Sequence, residues 1–199
     1  MGKFVNPDNT AFQVALNSEI YVDKTGLIEY TNRVMDTNQA LICNSRPRRF
    51  GKSITANMLA AYYSRGCDSK QLFEGKNISK TKLYEEHLNK HDVIHLDVQW
   101  CCMDAGSAEK TVSYITQKVL CELKEEFPDV PFSKKNTLGG ALADITQKTG
   151  HKFVIIIDEW DVLIRDEAAN LKVQEEYIDF LRGLFKGTEP TKFLHLAYL

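Results

Sequence analysis

Two short stretches of this chain carry residue types that could act on a phosphate chain. The first, Arg46-Pro47-Arg48-Arg49-Phe50-Gly51-Lys52-Ser53, ends as the pattern G-x-x-x-x-G-K-[ST] ends, with Arg46 standing where that pattern has its first glycine. Holding phosphates at such a loop needs backbone N–H groups gathered at a helix N-terminus, an ammonium reaching the outer phosphates, and a hydroxyl for Mg2+. Lys52 and Ser53 supply the last two, and Gly51 lets the backbone approach closely. Pro47 has no N–H, so the expected cradle starts at Arg48 and runs through Arg49 and Phe50 to Ile54. The second stretch is Asp158-Glu159, which closes the aliphatic run Phe153-Val154-Ile155-Ile156-Ile157. A carboxylate at the tip of a buried strand can hold Mg2+ through water, and its neighbour can activate an attacking water. Asp158 is the expected metal ligand and Glu159 the expected base, with Lys52 as the catalytic cation.

Each stretch has a plainer reading. A Gly-Lys-Ser/Thr triplet occurs by chance in roughly one chain in ten of this length, and Ser45 to Lys52 has a lesser reading as a basic patch for nucleic acid or nuclear import, which the apolar strand and helix around it argue against. Acidic residues also end strands simply because the chain returns to solvent. The weight comes from context: an apolar run precedes the loop, a helical stretch follows it, and both stretches end strands of an α/β sheet, where such sheets bind ligands. Asp161 and Asp166 follow the carboxylate pair and read as solvated charge as readily as support for a metal.

The elements that must position these residues follow from periodicity. Leu27 to Val34 reads as a helix, Ala40 to Cys43 as a strand, and Ile54 to Tyr63 as a helix closed near Gly66. Residues 67–90 suggest short helices, Val93 to Val98 a strand, and 107–127 and about 137–149 helices ended by Pro128 and Gly150. Phe153 to Ile157, β-branched and aromatic throughout, predicts a strand covered on both faces. A helix over 171–184 and a strand over 193–199 complete the series. Strands alternating with helices imply a parallel sheet with helices on both faces.

The 199 residues, 43% hydrophobic and 26% charged, suit one core. We divide them into a lead-in segment, 1–36, and a core, 37–199. A net charge of -2 leaves no general field for nucleic acid or an anionic membrane. Five cysteines without a C-x-x-C pair or secretory signal suit a reducing cytoplasm, and no apolar run is long enough to span a bilayer. Asn89-Lys90-His91-Asp92 spells the guanine-reading N-K-x-D pattern, but it precedes a strand and the carboxylate pair, so we read it as a surface turn and favour adenine. The five histidines show no metal-ligand spacing.

Three strings together, Tyr21-Val22-Asp23-Lys24-Thr25-Gly26-Leu27-Ile28, Arg46 to Ser53, and Ile156-Ile157-Asp158-Glu159-Trp160-Asp161, resemble the predicted AAA-ATPase-like proteins common in bacteria. The string R-P-R-R-F-G-K-S is specific to that group, so the missing first glycine looks like its own pattern. The resemblance implies a P-loop NTPase three-layer sandwich of the additional-strand, catalytic-glutamate type, with the 193–199 strand between the loop strand and the carboxylate strand. It implies ATP and Mg2+ as ligands and makes Tyr21, Asp23 and Lys24 a candidate base pocket. It also implies that a sensor residue, a fifth strand and a C-terminal nuclease-like region would follow Leu199. Three functions remain open at this point: an ATPase driving an attached effector, a nucleotide switch without turnover, and a small-molecule kinase of the same fold.

Overall fold

A computed structural model describes residues 2–45, 50–133, 137–165 and 170–199. Its helices are α1 (Thr10–Leu16), α2 (Gly26–Val34), α3 (Lys52–Tyr63), α4 (Lys70–Phe73), α5 (Tyr84–His87), α6 (Val98–Ala105), α7 (Ala108–Glu126), α8 (Leu138–Thr149), α9 (Val162–Arg165), α10 (Leu171–Phe185) and α11 (Pro190–Phe193). A 3-10 turn covers Asn77–Lys80, and the strands are β1 (Leu41–Ile42), β2 (Asp92–Asp97), β3 (Phe153–Asp158) and β4 (Leu194–Tyr198). The sheet is parallel, in the order β1-β4-β3-β2. Thus the last strand inserts between the loop strand and the carboxylate strand, as the resemblance implies. Leu41 pairs with Ala197 and Ile42 with Tyr198.

Burial explains the sheet. Phe153 to Ile157 are all buried, and Val93, Ile94 and Leu96 of β2 have no exposed surface, so these strands are covered on both faces. The sequence reading extends β2 to Val98, but the strand stops at Asp97, whose carboxylate accepts a hydrogen bond from Trp100 N–H at 2.8 Å and caps α6. Val98 is a buried first helical residue, and α6 as a whole escapes the apolar pattern because it follows the strand without a loop.

The chain forms two compact units, Met1–His95 with Phe153–Ile156 and His195–Leu199, and Leu96–Lys152 with Ile157–Leu194. In the first, α3 is buried along nearly its whole length, and its last two residues tie it to α2. Tyr63 Oη donates to Asn32 Oδ1 at 2.7 Å, while Tyr62 Oη accepts from Asn32 Nδ2 at 3.1 Å and donates to the Tyr84 carbonyl at 2.8 Å. Burial pushes both phenols far above their ordinary range, so they act as fixed neutral struts. In the second unit, α7, α8 and α10 pack together around Ile115, Val119, Leu142, Ile145 and Tyr177.

Three of the five histidines meet in the first unit. His87 Nδ1 and His91 Nε2 lie 3.0 Å apart with stacked rings, His195 meets His91 edge-on, and His195 Nδ1 is 2.7 Å from Asp36 Oδ2. Burial, and behind it the neighbouring His195 and His87, hold His91 down at about 3 from 6.5, against the pull of Asp36. Below pH 6.5 the unfolded chain therefore binds a proton that folded His91 refuses. His91 lends its full stability above pH 6.5, and this is lost as pH falls toward 3. The expected slope is at most about 1.4 kcal/mol per pH unit from this group. Urea unfolding at pH 7.0, 5.5 and 4.5 measures it, and His91→Gln should flatten the dependence; an unchanged slope would assign the acid sensitivity elsewhere.

The Asn89 to Asp92 string is a partly buried structural turn and not the surface turn expected from sequence. Asn89, at φ 54°, donates through Nδ2 to the carbonyls of Ala61 and Ser64 at 3.0 and 2.7 Å and so closes α3. Asp92 is buried against Arg65 Nε at 2.8 Å.

Candidate phosphate and carboxylate sites

The phosphate loop leads from β1 into α3, and its end is set by one backbone conformation. Gly51 is the residue before α3 and lies at φ 71°, ψ 38°, a left-handed geometry that a side chain would strain. Its carbonyl accepts from Thr55 N–H at 3.1 Å and from Thr55 Oγ1 at 2.9 Å, which starts the helix cleanly. Lys52 and Ser53 are then the first two helical residues, so their N–H groups are among those no helical carbonyl can satisfy. Ser53 and Ile54 are exposed there, Lys52 is half-buried, and Phe50 is exposed. Arg48 and Arg49 lie outside the described residues.

Beside this turn is a cavity of about 380 Å³ lined by Lys24, Leu27, Ile42, Cys43, Asn44, Phe50, Thr55 and Tyr198. Asn44 Nδ2 donates to Tyr198 Oη at 2.5 Å, so the ends of β1 and β4 share a polar floor. Sequence reasoning missed both residues. The available signal was position: each is a polar side chain at the C-terminal end of a strand. Of the three N-terminal candidates, only Lys24 reaches this cavity. Asp23 accepts from Thr25 N–H at 2.8 Å and from Asn77 N–H at 3.0 Å. Burial raises its carboxyl, but those hydrogen bonds outweigh it and leave the pKa lowered. Tyr21 packs edge-on against Phe12 and under the Lys76 ammonium, 5.2 Å from its ring centre.

The carboxylate pair belongs to the second unit. Asp158 ends β3, and its Oδ1 accepts from the Glu159 N–H at 3.0 Å. Glu159 lies at φ 50°, a left-handed backbone that costs a non-glycine residue on the order of 1–3 kcal/mol. The turn is held from outside: Tyr177 Oη donates to the Trp160 carbonyl at 2.7 Å, and Val162 N–H bonds the Glu159 carbonyl at 3.1 Å. The backbone of Trp160 is therefore part of the frame. Arg165 ion-pairs Glu159 at 3.5 Å and Asp161 at 3.4 Å, a contact with no sequence signal beyond proximity. Asp161 is thus drawn into that pair, and Asp166 lies outside the described residues.

Asp97 completes the acidic group and was also missed. Its partly desolvated position raises the carboxyl, against the Trp100 hydrogen bond, and the charges of Asp158 and Glu159 raise it further. Asp97 thus stands close enough to feel both charges of the pair. Among the described residues no group of three or more His, Cys, Asp or Glu side chains could hold a metal by itself. Mg2+ needs no such cage, because it keeps water and takes one or two protein oxygens plus phosphate. A larger cavity of about 500 Å³ in the second unit, lined by Val112, Leu138, Phe180, Leu184 and Phe193 among others, is mainly apolar and contains none of these residues.

A parallel α/β sheet in this order, with a glycine-led turn into a helix after β1 and a carboxylate closing β3, defines a P-loop NTPase-like protein. The chain belongs to the AAA-ATPase-like family, described as predicted AAA-ATPases, whose model matches residues 11–197. No curated protein and no solved structure matches it. Among the described residues no helix is long and apolar enough to cross a membrane.

Proposed function

We propose that this chain binds ATP with Mg2+ and hydrolyses it, and that turnover moves an attached effector region. The observation that carries the reading is the left-handed Gly51 delivering Lys52 and Ser53 as the opening residues of the 12-residue α3. In this reading Lys52 pairs with the outer phosphates and stabilises charge as the terminal phosphate leaves. The N–H groups of Phe50 to Ile54, with Arg48 and Arg49, cradle the phosphate chain. Ser53 and Asp158 hold Mg2+, which when bound neutralises the phosphates. Glu159 takes a proton from the attacking water. Of the N-terminal trio Tyr21, Asp23 and Lys24, it is Lys24 that meets the nucleotide, from the lining of the cavity beside the loop.

The ion pair between Glu159 and Arg165 favours a second reading, a nucleotide switch that binds without turnover, since it turns the carboxylate toward a guanidinium and away from a water. Calorimetry with ATP and Mg2+ beside a phosphate-release assay, both on the full-length chain, separates the two. The ATPase reading expects binding and sustained, Mg2+-dependent release. Binding with no release selects the switch, and no binding discards both.

A further inference from the structure

We infer that Lys24 is a second cation for the polyphosphate chain, in addition to Lys52, acting from outside the loop. The inference rests on the nucleotide-binding reading and says which part of the nucleotide this residue meets. Its ammonium donates to the Phe50 carbonyl at 2.7 Å. It also stands 2.5 Å from the point where a Cβ on Gly51 would lie. A lysine ammonium has three donors, and one carbonyl uses one of them. Among the described residues Lys24 has no carboxylate partner, and the neighbouring Asp23 is committed to the N–H groups of Thr25 and Asn77.

The side chain is not there by accident of a floppy segment. Thr25 is fully buried and its Oγ1 accepts from Ile78 N–H at 3.2 Å, so the backbone on the far side of Lys24 is clamped to the 3-10 turn. With the Asn77 bond to Asp23 on the other side, this holds the residue in the lining of the 380 Å³ cavity that Asn44, Thr55 and Tyr198 also line. An ammonium aimed at the glycine of a phosphate loop faces the place where anionic oxygens come nearest the backbone. A purine would meet no comparable need there, because its ring offers a weak acceptor where a phosphate offers full charge. Lys24 therefore counts phosphates. It trades part of its bond to the Phe50 carbonyl for a charge-assisted one to the ligand.

The test measures affinities of the full-length protein for ATP, ADP, adenosine and inorganic tripolyphosphate, in wild type, Lys24→Met and Lys24→Arg. Lys24→Met should weaken ATP and tripolyphosphate about tenfold or more, ADP less, and adenosine hardly at all. Lys24→Arg should restore most of the loss. Thermal melts of the unliganded variants report the share owed to the Phe50 bond, which would lower every affinity alike if the residue were only a brace. Equal losses for ATP and adenosine, or unchanged ATP affinity, overturn the inference while leaving nucleotide binding intact. A wild-type protein that binds neither ATP nor tripolyphosphate overturns the inference together with the reading beneath it.

Discussion

Replacing Glu159 by Gln should lower the ATP turnover of the full-length protein about a thousandfold while leaving ATP affinity within about threefold of wild type. The amide keeps the size of the carboxylate and its contact with Arg165, but it cannot take a proton from water. A general base contributes roughly 10²–10⁴ in rate, and the ground-state nucleotide gains little from it, so kcat should fall and KM should not. The backbone adds a further constraint. Glu159 sits in a left-handed conformation maintained by the Tyr177 and Val162 hydrogen bonds, so its side chain leaves the strand tip in one fixed direction. Asparagine adopts that backbone more readily than glutamate, so Glu159→Asn should melt no lower than wild type while still removing turnover. Phosphate release under single-turnover conditions, beside an ATP titration, measures both halves. Normal hydrolysis by Glu159→Gln would remove this residue from the chemistry.

The second large effect concerns stability. Gly66→Ala should cost about 3 kcal/mol, because a Cβ at this position would lie 2.1 Å from the Asn6 carbonyl oxygen. Neither side can yield. Asn6 is buried at φ 51°, its N–H bonds the Val93 carbonyl at 2.8 Å, and its side chain joins Asp92 Oδ1 at 3.1 Å and Val93 N–H at 2.8 Å. Gly66 N–H is bonded to Ser64 Oγ at 3.1 Å, and Ser64 Oγ donates to the Pro7 carbonyl at 2.7 Å. A loss of that size corresponds to a fall in Tm of about 6–12 °C for a chain of this length. Gly26→Ala is the internal control: it opens α2 with nothing within 4 Å of an added Cβ, and should be neutral or stabilising. A Gly66→Ala protein melting within about 2 °C of wild type would mean that the Asn6 turn opens at little cost.

The backbone conformation at Glu159, the Gly66 contact and the histidine cluster were invisible in the sequence for one reason: each depends on which distant segments pack together. Nothing in Asn-Lys-His-Asp announces that His91 will lie between His87 and His195, more than a hundred residues further along the chain. Likewise Asn44 and Tyr198 look unremarkable until parallel pairing of β1 and β4 sets them side by side. At β1 the apolar run from Ala40 to Cys43 was a good guide, since bonding to the last strand runs from the Ala40 carbonyl, which accepts from Ala197 N–H at 2.8 Å, to the Asn44 N–H, which donates to the Leu199 carbonyl at 2.7 Å.

What the sequence determined by itself was local. The unbroken β-branched run from Val154 to Ile157 reads as a doubly covered strand and is one, and the glycine before Lys-Ser marks the turn at which α3 begins. Periodicity and composition act over a few residues, so these features are written in order along the chain. The tertiary structure decided the rest: it slotted β4 between β1 and β3, brought Lys24 onto the Phe50 carbonyl, and set Glu159 against Arg165. Such contacts arise from burying apolar surface that is shared between remote segments, and that shared surface exists only once the chain has folded.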